Sequence, residues 1–202
     1  MVKNVTIYVE GGGDSDELKR RCREGFRKLF EKCSFKRMPK FVACGGRGNA
    51  FDRFCTAHAD GKEDAILLVD SEDPIADIEK TWPHLKLRDN WDKPEGAQDE
   101  QVLLMTTCME TWIVTDRAAL RAFYKSELNE SQLPPLVNLE GRHRHAVQDS
   151  LQTATKDCKN KYEKGKRSFE VLAVLTRATL EQYLPSFKRA RKELAKKLGE
   201  KT

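Results

Sequence analysis

The apolar run Ile66–Val69 narrows the possible folds of this chain more than any other segment. Four consecutive apolar residues suit a strand that is buried on both faces, as in a parallel sheet covered by helices. The run ends in the acids Asp70, Glu72 and Asp73, followed by Pro74. Acids at the carboxyl end of such a strand lie where open α/β sheets bind ligands. A solvated, capped turn is the alternative, because Asp, Ser and Pro are ordinary turn residues.

The segments around this run alternate between strand and helix patterns. Strands are predicted at 4–9, 41–44, 65–69 and 102–107. An amphipathic helix capped by Asp14 or Ser15 should follow the first strand, and a helix over 50–59 should follow the second. This alternation predicts a parallel sheet with crossover helices.

The remaining segments are predicted to be loops and helices that extend a single domain. Residues 83–101 carry few apolar residues and two prolines, which indicates a loop or a short irregular helix. Helices are predicted at 116–124, at 146–158 and from about 169 to the end. We therefore expect one domain over 1–202, with a core at about 4–125 and a helical C-terminal extension at about 126–202.

Composition excludes several classes of protein. The chain has 202 residues, of which 34% are charged and 39% hydrophobic, and no apolar run approaches the roughly 20 residues of a membrane-spanning helix. The N-terminus enters a strand pattern at once, without the pattern of a signal peptide, so a cytoplasmic location and no membrane partner are expected. The six cysteines form no CxxC pair, which disfavours a structural zinc site.

Acidic residues follow the predicted strands one after another. Glu10 closes the first strand, Asp70 and Glu72 close the third, Glu110 follows the fourth, and Asp14 lies one helical turn beyond Glu10. In a parallel sheet these acids would meet at one edge and repel one another unless a cation lies between them. Carboxylate oxygens suit Mg²⁺ or Mn²⁺. The pattern predicts a divalent-metal site for phosphate chemistry.

The same motifs resemble a known family. The order Glu10-Gly-Gly-Gly-Asp14, Asp70-Ser-Glu72 and Thr107-Cys-Met-Glu110 is similar to the acidic motifs of TOPRIM domains, and in particular of OLD-type nucleases. The segments Met109–Trp112 and Lys164–Phe169 resemble an uncharacterised branch often encoded beside ABC/AAA-type ATPases in bacterial defence loci. The resemblance covers about residues 4 to 176.

This resemblance implies a TOPRIM-like, Rossmann-like α/β fold and a Mg²⁺-dependent endonuclease that acts in antiviral defence with a partner ATPase. It also implies a basic residue at the scissile phosphate, for which Lys166 or Arg167 is the candidate. The alternative is a catalytically inactive TOPRIM-fold module that docks on a partner ATPase or nucleic acid. DNA and RNA both remain open as substrates, and so does homo-oligomer formation.

Chemistry assigns roles to the acids. Asp70, Glu72 and Glu110 would hold the metal, while Glu10 and Asp14 would bind a second ion or relay a proton. Glu72 stands where the TOPRIM motif has aspartate, and the neighbouring Asp73 is an alternative ligand. A phosphorylation-receiver domain with Asp70 as acceptor is disfavoured, because that domain has paired acids after its first strand.

Basic residues are unevenly placed within a net charge of +5. The helix predicted after the first strand carries Arg20, Arg23 and Arg27, which predicts a nucleic-acid surface. The alternative is a solvated helix face. In GGRGN at 45–49, Arg47 is a candidate phosphate contact, although the motif lacks the ending of a P-loop. The run Arg142–His145 could bind nucleic acid or metal, and we expect it to form an exposed loop.

Overall fold

Four strands form one fully parallel sheet in the order β2-β1-β3-β4. The computed structural model describes residues 3–200, and its strands are Val5–Val9 (β1), Lys40–Ala43 (β2), Asp64–Asp70 (β3) and Val102–Met105 (β4). The predicted α/β class and parallel sheet are therefore confirmed, at the level of a Rossmann-like arrangement.

Nine helices of the described range flank the sheet. They are Asp16–Glu31 (α1), Arg47–Asp60 (α2), Thr81–Asp89 (α3), Met109–Thr115 (α4), Arg117–Tyr124 (α5), Arg144–Thr155 (α6), Arg167–Val174 (α7), Arg177–Tyr183 (α8) and Pro185–Lys197 (α9). Ser15 caps α1, since its hydroxyl accepts from the Leu18 amide at 3.2 Å. Within residues 3–200, none of the helices has the length and apolar character that crossing a membrane requires.

Helix α3 lies where a loop or irregular helix was predicted. Its start is fixed by a distant residue, because the Asp99 carboxylate accepts from the Trp82 amide at 2.9 Å and from the Thr81 hydroxyl at 3.0 Å. Trp82 and Leu85 are then buried against the sheet. The cap comes from tertiary structure, so local sequence patterns could not reveal this helix.

Side chains of the central strands alternate between two hydrophobic layers. Ile66 and Leu68 point into the layer formed with α1 and α4–α9, while Leu67 and Val69 point into the layer formed with α2 and α3. Because helices cover both faces, the whole run Ile66–Val69 is buried, as its continuous apolar character predicted.

The C-terminal helices share the core of the sheet. Helix α7 packs closely on α1, because Gly25 leaves no room for a Cβ: such an atom would lie 2.7 Å from the carbonyl oxygen of Phe169. The buried Arg189 of α9 donates to the carbonyl oxygens of Val102 and Asp99 at 2.9 and 3.0 Å. The C-terminal helices are thus packed into the same core as the sheet.

The strand order creates a crevice between β1 and β3. After β1 the chain moves to β2 on one side, whereas after β3 it moves to β4 on the other side. Neighbouring parallel strands whose connections diverge in this way leave an opening at their carboxyl ends, which is where α/β folds bind ligands.

Candidate metal centre

Three acids meet at this crevice. Glu10 directly follows β1, Asp70 ends β3, and Glu72 lies two residues further on. One carboxylate oxygen from each lies within 4.8 Å of the others. The parallel pairing of β1 with β3 produces this convergence, since the Glu10 amide donates to the Leu68 carbonyl oxygen at 3.0 Å. Three of the five acids that the strand-end pattern predicted to converge thus come together in one group.

Asp70 is the most buried acid of this cluster. Its side chain accepts from the Met109 amide at 2.8 Å, and the residue is 8% exposed. Burial raises the pKa of Asp70 well above its ordinary range, and the negative charges of Glu10 and Glu110 raise it further, against the opposing charge of Lys164. The cluster therefore needs a proton or another cation to offset its charge.

Glu72 enters the cluster from a strained backbone position. Its φ of 69° lies in the left-handed region, which costs a residue with a Cβ about 1–3 kcal/mol and is often found at functional sites. The Glu72 amide donates to the Thr107 carbonyl oxygen at 2.8 Å, which holds this conformation. The neighbouring Asp73 points outward to Arg88 at 3.2 Å, so Glu72 is the residue that joins Glu10 and Asp70.

Arginines surround the three acids. Arg47 donates to both oxygens of Asp89 at 3.0 and 2.7 Å, to Glu10 at 3.3 Å and to the Asp70 carbonyl oxygen. Arg88 binds Glu72 at 3.0 Å, and Arg144 forms a second ion pair with Glu72. Internal cations thus offset part of the cluster's charge. The predicted exposed loop at 142–145 is wrong for Arg144, which begins α6.

Glu110 lies on the far side of the same edge and differs from the other acids. It is fully buried, and it accepts from the Tyr162 hydroxyl at 2.7 Å and from the Gln148 amide at 3.2 Å. Burial and the charge of Glu110 raise the pKa of Tyr162 well above its ordinary value. Glu110 stands outside the three-acid group, and the predicted proton relay Asp14 is exposed ahead of α1.

In the segment Lys164–Phe169, Lys166 or Arg167 was the predicted phosphate-binding residue, but a different lysine lies beside the acids. Lys164 lines the cavity beside the acids, whereas Lys166 is exposed just ahead of α7 and Arg167 pairs with Glu170 at 2.6 Å. The segment was recognisable from its sequence. The residue at which α7 begins determines which basic side chain of the segment faces the acids.

The predicted nucleic-acid surface on α1 is exposed. Arg20, Arg23 and Arg27 project into solvent, Arg27 pairs with Glu31, and the three arginines border a shallow groove with Lys40. Arg47, by contrast, is engaged by acids of the cluster. Of the arginines at the cluster, Arg88 lay in a segment predicted to be a loop or a short irregular helix. Arg144 lay in a run predicted to be an exposed loop that could bind nucleic acid or metal, so sequence patterns placed neither beside the three acids.

A cavity of about 360 Å³ opens beside the acidic cluster. Its lining is mainly apolar and includes the glycine loop after β1. The lining includes Gly11, Gly12, Gly13, Leu18, Met105, Met109 and Phe169 together with Glu10, Asp70, Glu110, Lys164 and Ser168.

Comparison with known proteins relates the chain to a family without a known activity. The family model described as "Domain of unknown function (DUF4276)" matches residues 9–195, a span that includes every acid of the cluster. No curated protein and no solved structure matches the chain at a significant level.

Proposed function

The chain belongs to the DUF4276 family, and we propose that it is a divalent-metal-dependent nuclease with a TOPRIM-like fold. One observation carries the proposal: the carboxylates of Glu10, Asp70 and Glu72 converge within 4.8 Å at the carboxyl ends of neighbouring parallel strands. Its effector role beside an ABC/AAA-type ATPase in defence rests on the resemblance of its motifs alone.

The donor set fits a hard divalent cation. All three groups are carboxylates, which Mg²⁺ and Mn²⁺ prefer. Burial, followed by the charges of Glu10 and Glu110, raises the pKa of Asp70 and so disfavours its negative charge, which a cation would stabilise. When bound, the cation supplies an activated water and stabilises the leaving oxygen of a phosphodiester. Glu10, which is half-buried at the mouth of the crevice, is placed to accept a proton from that water.

The arginines have a second role in this proposal. If Glu72 held a cation, Arg144 would lose its carboxylate partner and Arg88 would keep only Asp73 and Asp89. The planar guanidinium groups of both arginines match the oxygens of a phosphate. Both side chains are 28% exposed, so they can turn toward a substrate at little cost. We therefore assign them to the scissile or adjacent phosphate.

Cleavage assays with a matched pair of variants test the metal site. Asp70→Asn removes a ligand but keeps an acceptor for Met109, while Asp73→Asn changes the neighbouring acid outside the cluster. Plasmid DNA and tRNA are incubated with each protein in Mg²⁺, Mn²⁺ or EDTA, with and without an ATPase encoded nearby. We expect metal-dependent cleavage that Asp70→Asn abolishes and Asp73→Asn retains.

Nucleic-acid binding can be tested separately on α1. Reversing the charge of Arg20, Arg23 and Arg27 should weaken binding and flatten its salt dependence, by a slope of about 0.9 for each phosphate that the variant no longer neutralises. Binding is measured by fluorescence anisotropy between low and moderate salt. Unchanged affinity would identify this face as solvated or as a surface for a protein partner.

The alternative function is a non-catalytic module that docks on a partner ATPase or nucleic acid. It is favoured by the contacts of Arg47, Arg88 and Arg144, which already offset the acids with internal cations. Thermal unfolding separates the two functions, because a ligand that binds only the folded state raises the melting temperature. A metal site predicts that Mn²⁺ raises the melting temperature of wild type but not of Asp70→Asn, whereas the module predicts no rise in either.

A further inference from the structure

We propose that the cavity beside the acidic cluster holds one unstacked nucleotide of the substrate, so that the chain cuts nucleic acid at unpaired positions. This inference rests on the proposed nuclease function and names its substrate class. It follows from the size, the walls and the position of the cavity.

The size and walls of the cavity suit a single base. Its volume is about 360 Å³, near the lower end of the range for small-ligand pockets. Leu18, Met105, Met109 and Phe169 supply apolar and aromatic surface. Enzymes that take a base out of a duplex hold it between side chains of this kind.

The glycine loop after β1 contributes three consecutive residues without side chains to the lining of the cavity. Gly11, Gly12 and Gly13 have φ angles of 138°, 89° and 50°, so residues with a Cβ would be strained there. A Cβ on Gly11 would also lie 3.3 Å from the Phe169 ring, and one on Gly12 would lie 2.7 Å from the Lys19 Cα. The glycines therefore let the loop pack closely against α1 and α7 where it lines the cavity.

The residues around the cavity indicate which part of a matching ligand is charged and which part is apolar. Glu10, Asp70 and Glu110 line the cavity, and Lys164 is the cation among the lining residues. A nucleotide matches this division, since its phosphate would lie near the metal-binding acids and Lys164 while its base enters the apolar part. A base within a duplex is not available to such a pocket unless it is first unpaired and unstacked.

Substrates of one sequence test the inference on the wild-type protein. We expect a single-stranded oligonucleotide to be cleaved at least about tenfold faster than its duplex, and one abasic nucleotide at the cleaved position to slow cleavage by about tenfold, the effect of losing one stacked base. Equal rates on duplex and single strand, or no effect of the abasic nucleotide, would overturn the proposal.

A variant that fills the cavity gives an independent test. Leu18 is half-buried on α1 and lines the cavity, so Leu18→Trp should occupy the cavity without disturbing the core. Leu87→Trp is the control, because Leu87 is 90% exposed on α3. We expect Leu18→Trp to slow cleavage of the single strand at least about tenfold with the Mn²⁺-induced rise in melting temperature intact, and Leu87→Trp to behave as wild type. Normal cleavage by Leu18→Trp would contradict the inference.

Calorimetry with 5′-AMP and ribose 5-phosphate separates this inference from the proposed function. Binding of 5′-AMP that needs the base and is lost in Leu18→Trp supports the pocket even if no nucleic acid is cleaved. Metal-dependent cleavage without any preference for 5′-AMP over the sugar phosphate would retain the nuclease and reject the pocket.

Discussion

Glu72 and Glu110 each follow a strand at the same edge of the sheet, yet their partners differ in kind. Glu72 is paired with Arg88 and Arg144, and its side chain is 14% exposed. Glu110 is fully buried and accepts from the neutral donors Tyr162 and Gln148. A carboxylate held by mobile cations at the mouth of a crevice can exchange them for another cation, whereas one held by neutral donors in the core is fixed in place.

The difference has a physical cause. Ion pairs that solvent can reach contribute roughly 0–1 kcal/mol, so breaking one to bind a metal costs little. A buried acceptor that loses its donor costs about 1–3 kcal/mol, and more when the acceptor is charged. Under the proposed function, the cluster that contains Glu72 would therefore bind the metal directly, and Glu110 would contribute a nearby negative charge that raises the affinity of that cluster.

The largest expected effect tests this division directly. Removing a hydrogen-bond partner of a metal ligand typically costs 10- to 100-fold in metal affinity or activity. Because Glu72→Gln removes a ligand itself, it should slow cleavage by more than about 100-fold. Glu110→Gln should slow it by only about tenfold, because the amide oxygen can still accept from Tyr162. Cleavage rates over a Mn²⁺ titration measure both, and equal losses would make Glu110 a direct ligand.

The stability of the folded state, unlike the cleavage rate, should depend more on the hydrogen bonds of Glu110 than on the ion pairs of Glu72. Tyr162→Phe removes a donor from buried Glu110 and should lower the free energy of unfolding by about 1–3 kcal/mol. The control Tyr183→Phe changes a tyrosine that is 37% exposed and should stay within about 0.5 kcal/mol of wild type. Urea denaturation without metal measures both changes. A loss of stability in Tyr162→Phe no larger than in the control would place Glu110 in a solvated setting like that of Glu72.

The charge of the cluster should also appear in the pH dependence of stability without metal. Burial and the charges of Glu10 and Glu110 raise the pKa of Asp70 in the folded state, so above the ordinary aspartate pKa of about 3.9 the unfolded state binds fewer protons than the folded state. The free energy of unfolding therefore falls as pH rises from about 4 to the raised pKa, by at most about 1.4 kcal/mol per pH unit. Asp70→Asn should flatten this fall in urea titrations at several pH values, and an unchanged slope would assign it to other groups.

The sequence was informative where the signal is local. Buried strands and the acids at their ends are set by short patterns, so Glu10, Asp70 and Glu72 could be placed at one edge from the prediction of a parallel sheet. The same prediction placed Asp14 and Glu110 with them, and both lie outside the three-acid group. The arginines could not, because Arg88 lies on a helix whose start depends on Asp99, 17 residues from Trp82. Arg144 reaches Glu72 from a helix that packs on α4. The properties of each acid depend on partners that tertiary packing brings next to it, and local sequence patterns do not reveal these partners.

The smallest expected effect concerns one of those arginines. Arg144→Ala removes a positive charge that competes with a metal ion for Glu72, so Mn²⁺ should bind more tightly. Partly exposed ion pairs typically contribute about 0.2–1 kcal/mol, which corresponds to a gain in affinity of about 1.4- to fivefold. The free energy of unfolding should change by less than about 1 kcal/mol for the same reason.

Two further variants show whether charge is the cause. Arg144→Lys keeps the charge and should bind Mn²⁺ as wild type does, while Arg121→Ala breaks an exposed pair with Glu130 elsewhere on the surface and should have no effect on affinity. If Arg144→Ala gains affinity for Mn²⁺ but loses cleavage activity, the same side chain both balances the acids before metal binds and contacts the phosphate afterwards. If affinity is unchanged, Glu72 does not exchange its arginine for a metal, and its distinction from Glu110 fails.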